Sequence, residues 1–322
     1  MKKNFWEETP VLVTMALIAT FLWGSAFPCI KIGYQLFGIS SGDTASQITF
    51  AGTRFAIAGI MVIFIASLLT GHFALPKKES IVPIVIVSLF QTIGQYFFFY
   101  IGLAHASGVS SSLIEASNTF LTILVAVFLF HTEKLTRAKV IGCIVGFLGV
   151  AVIEMPLPGQ AEGAFGFSLL GEGFVLISTV MSSFAANFIK IAGRKEDPMI
   201  ISGWQFLFGG LVMALVGRAS GGQLGIKEVS HPFYGILLLL YMAFISACAY
   251  TLWSLLLKYN PVSRVAVFGF VNPVIGVILS ALLLHESNQA FSLVGLTSLV
   301  LVSAGIIIVN RPEKKAAVPQ NT

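Results

Sequence analysis

Three ionisable side chains lie inside apolar stretches of the sequence that are long enough to cross a lipid bilayer. They are Lys31, Arg54 and Glu115. A charge at the centre of such a helix costs about 2.5 to 3.5 kcal/mol on insertion scales, so each is a hypothesis for function. At 1.5 Å per residue, all three lie about 9 to 10 Å inside the outer end of their helices. This shared depth predicts partial mutual neutralisation and a vestibule for an anionic or carboxylate-bearing solute.

These residues also have simpler interpretations. Lys31 and Arg54 could extend their long side chains to the outer interface. Glu115 is too short to reach water as easily, so it must pair, line a wet cavity or take up a proton. The hypothesis that follows is proton coupling through Glu115.

A second layer of polar and aromatic residues lies near the middle of the same stretches. Each has a packing alternative, because hydrogen bonds between membrane helices contribute only about 0.6 kcal/mol on average and aromatic rings often form interfacial belts. Together they are candidates for a substrate or ion pathway: Trp23, Gln95, Tyr96, Asn118, Asn187, Gln205, Tyr250, Trp253 and Asn272.

Two prolines are candidate hinges. Pro273 follows Asn272 and disfavours a regular helix there, and a broken helix would free backbone carbonyls for a ligand. Pro28 precedes Lys31 by one turn and could open the outer end of the first helix as a gate.

The elements that carry these residues are long apolar segments. Of the 322 residues, 56% are hydrophobic and 10% are charged, with a mean hydropathy of +0.91, which excludes a water-soluble globule and a disordered chain. The lengths predict an all-α integral membrane protein with ten transmembrane helices, since barrel strands are shorter and alternate. The predicted spans are 11-37, 47-70, 81-104, 109-130, 138-155, 168-190, 198-217, 233-257, 262-284 and 291-309.

The positive charges predict the orientation. With both termini in the cytoplasm, all but four of the 19 lysines and arginines fall on the inner side. The exceptions are Lys31, Arg54, Arg218 and Lys227. No organelle presequence is apparent, so we expect a multi-pass protein of the bacterial inner (plasma) membrane, and the basic charge indicates topology rather than nucleic-acid binding.

The chain matches itself at an offset of 153 or 154 residues. An odd number of spans in each half would make the second copy inverted, as in secondary transporters that work by alternating access. We therefore predict two inverted five-helix repeats, residues 1-156 and 157-322, divided near 156-167. The matches are Tyr96 with Tyr250, Asn118 with Asn272, His131 with His285, Glu133 with Glu286 and Gly142 with Gly295, with Lys31 on Lys190 at 159 and Arg54-Phe55 on Gln205-Phe206 at 151.

Two further features concern packing and helix ends. Gly142, Gly146 and Gly149 form a groove on the fifth span, which predicts either a homodimer contact or close packing within one chain. Glu133 and Glu286 follow the fourth and ninth spans, where we expect a solvated end or a helix cap rather than a binding role.

Catalytic and cofactor motifs are absent from the sequence. It contains no phosphate-binding loop, no His-Glu-x-x-His and no Gly-x-Ser-x-Gly, and the five histidines fall at loops or helix ends. We therefore expect neither an enzyme nor a metal or cofactor site.

Several short motifs give the chain a family resemblance. Trp23-Gly24-Ser25 leads to Lys31, Arg54-Phe55 follows, and His131-Thr132-Glu133-Lys134-Leu135-Thr136 precedes a glycine-rich span, with His285-Glu286 in the second half. The sequence resembles EamA-type members of the drug/metabolite transporter superfamily. The resemblance implies a ten-helix inverted repeat with helices five and ten at the periphery and a central cavity for small metabolites, often moved outward.

The expected function is that of a carrier. It exports or exchanges a small metabolite, such as an amino-acid-related or other organic compound, with protons as a candidate coupling ion. The alternatives are a passive channel, which an inverted repeat also suits, and a multidrug efflux carrier.

Overall fold

The computed structural model describes residues 5–155, 167–225, 232–260 and 262–311. The predicted boundary between the halves lies outside the described residues, apart from residue 167, and so does Lys227. Within these ranges the chain is helical and contains no strand. The predicted all-α class is confirmed.

The helices are numbered in chain order, and all of them except α5 and α10 are long and apolar enough to cross a membrane. These two have 17 residues each, at the short end of what can span a bilayer. Two short turns, Phe5–Glu7 and Ser287–Ala290, precede α1 and α10. The helices of the described residues are α1 Thr9–Leu36, α2 Thr44–Thr70, α3 Lys78–His105, α4 Gly108–Phe128, α5 Arg137–Ile153, α6 Leu169–Ala192, α7 Pro198–Ala219, α8 Pro232–Tyr259, α9 Arg264–Leu283 and α10 Leu293–Val309.

Capping side chains define many of the helix starts. The side chains of Asp43, Ser107, Thr136, Asp197 and Ser292 each accept a hydrogen bond from a backbone N–H of the first turn that follows. Such caps satisfy donors that have no partner within the helix, which fixes where the helix begins.

Large apolar side chains cover the outside of the helices. Phe64, Leu68, Leu215, Leu282 and Val300 are all exposed. A contiguous apolar exterior of this kind would be unfavourable in water and favourable against lipid tails. The structure therefore fits a multi-pass membrane protein.

Three helices change geometry near the middle. A π-helical stretch, Leu89–Gln95, widens α3, and a 3₁₀ stretch, Val267–Phe270, precedes Asn272 in α9. In α4, a turn at 116–117 separates two α-helical pieces just before Asn118. By contrast, α1 continues unbroken through Pro28, packed against α8 and α9. The hinge roles of Pro28 and Pro273 stay predictions.

Two helix pairs join the halves through close backbone contact. A Cβ atom at Gly52 of α2 would fall on the backbone of Ala214 in α7, and one at Gly305 of α10 would lie 2.7 Å from the backbone of Gly146 in α5. The glycine groove predicted on α5 thus packs against α10 within the same chain.

The remaining helices pack crosswise between the halves. Helix α1 packs against α8 and α9, and α6 packs against α3 and α4. These six helices carry most of the polar and aromatic residues described next, and α2 and α7 carry the others.

Candidate functional site

An aromatic cluster occupies the centre of the molecule. The ring of Trp23 lies 5.3 Å from that of Tyr250 and 5.2 Å from that of Trp253, measured between centroids. The Tyr250 hydroxyl accepts a hydrogen bond from Gln91 Nε2 at 2.7 Å and lies 3.4 Å from the Tyr96 hydroxyl. Four residues proposed from the sequence, on α1, α3 and α8, therefore meet at one place.

Two phenylalanines, one from each half of the chain, extend this cluster. Phe55 lies 4.0 Å from the Tyr96 ring and stacks on Phe206 at 5.3 Å, and Phe206 meets the Tyr250 ring edge-on at 4.9 Å. Both phenylalanines are fully buried. Neither was among the candidate site residues, although the alignment of Arg54-Phe55 with Gln205-Phe206 contains the signal that pairs them.

Glu115 of α4 lies beside this cluster, where α4 faces α6. Its carboxylate accepts a long hydrogen bond of 3.5 Å from Gln95 Nε2. The Ser178 hydroxyl lies 3.4 Å from the other oxygen, but it lies 2.6 Å from the Val175 carbonyl, where its single proton points more favourably. Glu115 is thus a weakly satisfied carboxylate, and Ser178 is a neighbour that sequence analysis missed.

Arg54 is buried, and each nitrogen of its guanidinium donates a hydrogen bond to the protein. Only 3% of the residue is exposed. Nε donates to the Met242 carbonyl at 3.0 Å, Nη1 to the Tyr100 hydroxyl at 2.7 Å and Nη2 to the Ser246 hydroxyl at 3.0 Å. The guanidinium lies 4.9 Å from the centre of the Phe55 ring. Arg54 therefore cross-links α2 to α3 and α8.

Lys31 has a carboxylate partner from the other half of the chain. Its Nζ donates to the Ala106 carbonyl at 2.7 Å and lies 3.5 Å from Glu286 Oε1. Glu286 also accepts hydrogen bonds from the backbone N–H groups of Gly108 and Val109, at 3.1 and 2.9 Å, so it caps the start of α4. We call Lys31 and Glu286 the outer clasp, a name that follows the orientation predicted from the sequence.

A corresponding ion pair lies at the opposite end of the molecule. Lys190 Nζ of α6 lies 2.7 Å from Glu133 Oε1, and Lys139 Nζ lies 3.1 Å from Glu133 Oε2. Burial alone would raise the pKa of Glu133, but hydrogen bonds and charge from Lys190 and Lys139 outweigh it and lower that pKa overall. We call Lys190 and Glu133 the inner clasp.

The mutual neutralisation expected of Lys31, Arg54 and Glu115 is not supported by ion pairs between them. Among the ion pairs of the described residues, none joins Glu115 to either cation. The three residues bond different neighbours, so they do not neutralise one another by direct contact.

The amide residues proposed from the sequence mostly bond between or within helices. Asn118 accepts from Thr122, Asn187 donates to the carbonyls of Thr122 and Ser183, and Gln205 accepts from the hydroxyl of Thr92. Three of their buried amide atoms have no hydrogen-bond partner, namely Gln95 Oε1, Gln205 Nε2 and Asn272 Oδ1.

Two cavities open away from this centre. A groove of about 540 Å³ is lined by apolar residues of α4 and α5, including Leu124 and Phe147. Another of about 350 Å³ lies between α4, α5 and α6, near Glu154 and Glu172. Neither includes the central aromatic residues, and no cluster of three or more metal-ligating side chains is found among the described residues.

Comparisons with known proteins agree with this architecture. A protein of Archaeoglobus fulgidus named "Uncharacterized transporter" is 29% identical over 93% of this chain and 99% of its own. The "Probable amino-acid metabolite efflux pump" of Salmonella typhimurium is 28% identical over 91% of this chain and 93% of its own. A crystal structure covering 94% of this chain and 96% of its own shares the fold, with a TM-score of 0.63 at 20% identity.

The family comparison is direct. The sequence profile of the EamA-like transporter family matches residues 11–155 and 169–311. These two segments contain every residue of the central cluster and of both clasps. The chain therefore belongs to the EamA-like transporter family.

Proposed function

We propose that this transporter is a secondary carrier that exports or exchanges small metabolites by alternating access. Its two inverted halves would be residues 1-156 and 157-322, each with five membrane-spanning helices, and the central cluster would be the substrate site. The relatives are named as transporters rather than enzymes, which favours transport over catalysis.

Matched contacts across the centre support the inverted repeat. Arg54 of α2 bonds Met242 and Ser246 of α8. Gln205, at the matching position of α7, is bonded by Ser88 and Thr92 of α3. Since 88 and 92 align with 242 and 246 at the offset of 154, equivalent residue pairs are bonded in both halves, although the atoms and the donor roles differ.

Residues of the central cluster also contact their equivalents in the other half. Tyr96 and Tyr250 are aligned positions and their hydroxyls approach each other, and the aligned Phe55 and Phe206 stack. Contacts between equivalent residues are expected on a two-fold pseudo-symmetry axis, where inverted-repeat transporters place their substrate site.

The two clasps are the observation that carries the proposal. Lys31 and Lys190 are aligned, as are Glu133 and Glu286, and each lysine bonds the carboxylate of the opposite half. His131 and His285, which precede these carboxylates, share positive φ values of 52° and 58°. In the proposed orientation one clasp is outside and the other inside, so opening them in turn would expose the centre to either side.

A loop contact supports the proposed topology, in which an even number of spans separates the two loops. The backbone N–H of Lys77 donates to Glu196 at 2.8 Å, and Lys77 Nζ donates to the Lys195 carbonyl at 2.7 Å. These loops are separated by four of the proposed spans and should lie on the same face. We propose that the protein lies in the bacterial inner membrane and that this face, with both termini, is cytoplasmic.

Direction, coupling and assembly are further parts of the proposal. The name of the Salmonella relative supports outward movement of an amino-acid-related solute. Glu115 is the candidate for proton coupling. A homodimer would have to use a surface other than the α5 glycine groove, which α10 already covers.

Counterflow in proteoliposomes tests the transport proposal. A carrier must saturate, and unlabelled solute on the far side must accelerate entry of labelled solute, because the loaded site returns faster than the empty one. A passive channel, the main alternative, shows neither property. An imposed pH gradient should drive accumulation by the wild type, and Glu115→Gln should abolish that drive if protons couple through it.

The solute for this assay can be found by profiling the medium of cells that overproduce the protein. Broad transport of unrelated amphiphilic drugs would favour the multidrug alternative. Uptake that rises linearly with concentration, without acceleration by solute on the far side, would contradict the carrier.

A further inference from the structure

Two acceptor groups of the central site, the Gln95 amide oxygen and the Glu115 carboxylate, lack close hydrogen-bond donors. Gln95 is only 5% exposed, and its Oε1 is buried without a hydrogen-bond partner. The carboxylate of Glu115 has only the two long contacts described above. Because buried polar atoms are normally satisfied, these oxygens point to a ligand that brings donors.

The orientation of the Gln95 amide follows from its neighbour. Its Nε2 faces the Glu115 carboxylate. Turning the amide over would bring Oε1 against that carboxylate and leave Nε2 without an acceptor, which is electrostatically unfavourable. The unpartnered atom is therefore the oxygen, next to the carboxylate that the amide contacts.

The cations near this site are already occupied. The donors of Arg54 are directed to α3 and α8, and its guanidinium packs on the Phe55 ring. Lys31 is held by Ala106 and Glu286. Among the described residues, neither of these two cations is left without a partner for a substrate carboxylate, whereas Glu115 is in no ion pair and could meet a substrate cation.

The aromatic rings add a second attraction for a cation. Trp23, Tyr96, Tyr250 and Trp253 are each partly exposed although they lie between the helices, so packing does not seal this cluster completely. Indole and phenol faces attract ammonium groups, and they equally cover an apolar body.

We propose that the central site binds the ammonium group of an organic amine, with Glu115 and Gln95 Oε1 accepting its N–H groups and the aromatic rings packing on its apolar part. The inference rests on the proposed function, because it assigns a substrate class to the same site. It replaces the anionic solute expected from the sequence.

Three compounds of matched shape test the proposal by binding alone. Phenethylamine, 2-phenylethanol and 3-phenylpropionate present a cation, a neutral group and an anion on the same phenylethyl body. Binding of radiolabelled phenethylamine to the purified full-length protein in detergent, with the other two as competitors, needs no transport. We expect saturable amine binding, competition by the alcohol at least about tenfold weaker, and no competition by the anion.

Variants locate the charge that is responsible. Glu115→Gln keeps the shape of the side chain and should weaken amine binding at least about tenfold. Glu79→Gln removes an exposed carboxylate at the start of α3 and should have no effect. A wild type that fails to bind the amine, that binds the anion equally well, or that keeps its amine affinity in Glu115→Gln would overturn the proposal.

The design separates this inference from the transport proposal. If Glu115→Gln fails to fold, the comparison of the three compounds on the wild type still decides. Amine binding without counterflow would leave the site assignment standing and reject the carrier. Counterflow of another solute without amine binding would support the carrier and reject the assignment of an amine to the site.

Discussion

Arg54 shows how a residue that looks functional in a sequence can be structural. Nearly all of its surface is buried, and the free-energy cost of burying its charge is offset by hydrogen bonds to three acceptors on two other helices. A guanidinium with several donors is suited to such cross-linking. We therefore expect its removal to affect stability before it affects substrate recognition.

Replacing Arg54 tests this role. Arg54→Gln leaves at least one buried acceptor unpaired and should reduce the free energy of unfolding by on the order of 3 kcal/mol. The measurement is the thermal unfolding midpoint in detergent. Arg218→Gln, which changes an exposed arginine near the end of α7, should leave the midpoint unchanged. An Arg54→Gln protein of normal stability that no longer binds substrate would instead make Arg54 a ligand.

Single residues also show the limit of sequence reasoning. The depth of Lys31, Arg54 and Glu115 follows from counting residues along each helix. Their contacts depend on how each helix is rotated and which neighbour it packs against, and apolar stretches with weak amphipathicity give no such direction. The partner of Lys31, Glu286, is distant in sequence and lies in a loop. Its capping role was anticipated, but on α4 rather than on its own helix.

At the scale of elements, the contact between α2 and α7 depends on small residues. Gly52 and Gly59 let the two backbones approach until a Cβ atom at either position would fall on the backbone of α7. Because a backbone cannot move aside as a flexible side chain can, the helices would have to separate. Close approach of this kind replaces the hydrophobic effect as the main source of helix association in lipid.

Alanine substitutions distinguish this contact from a general preference for glycine. Gly52→Ala should destabilise the protein by about 1 to 3 kcal/mol through overpacking, seen as a lower unfolding midpoint. Gly42→Ala is the control, since a Cβ atom there meets no atom within 4 Å. Equal midpoints for the two variants would show that α2 and α7 tolerate separation.

The extent of the elements was largely predictable, and their interruptions were only partly so. The length of the apolar stretch predicted the second helix at 47-70. In the structure this helix is Thr44–Thr70, and Asp43 caps its start. The irregularity near Pro273 follows from proline chemistry, whereas the π-helical stretch Leu89–Gln95 has no proline. This stretch packs against α6 and α7, which are distant in sequence, so the segment taken alone does not contain these contacts.

At the scale of the whole molecule, the two clasps differ in exposure. The side chains of Lys31 and Glu286 are 24% and 16% exposed, whereas those of Lys190 and Glu133 are 48% and 32% exposed. Exposure weakens an ion pair through solvent screening. The inner pair is the shorter one, 2.7 Å against 3.5 Å, and Lys139 adds a second cation to it, so the outer clasp depends more on burial and the inner clasp more on close contact.

Acid should weaken the inner clasp. Since the pKa of Glu133 lies below its ordinary value of 4.5 in the folded protein, the pair contributes its full stability above pH 4.5 and loses it as the pH falls through the lowered pKa. Near neutral pH the inner clasp is therefore intact, and substitution is a cleaner way than acid to open it.

Matched substitutions in the clasps should shift the transporter in opposite directions. Lys31→Gln removes the cation of the outer clasp and should favour the outward-open state, whereas Lys190→Gln removes its inner counterpart and should favour the inward-open state. The readout is alkylation of Asn118→Cys by an impermeant maleimide from outside, after Cys29, Cys143 and Cys248 are replaced by serine. A change of about 1.4 kcal/mol in the balance of states would alter that rate about tenfold.

The direction of the two effects matters more than their size. General loosening of the fold would increase alkylation in both variants, because any opening exposes the centre. Alternating clasps require alkylation to rise in Lys31→Gln and to fall in Lys190→Gln, since each lysine opposes the opening of only one side. Rates that move together would therefore reject coupling between the clasps, even if transport were lost in both variants.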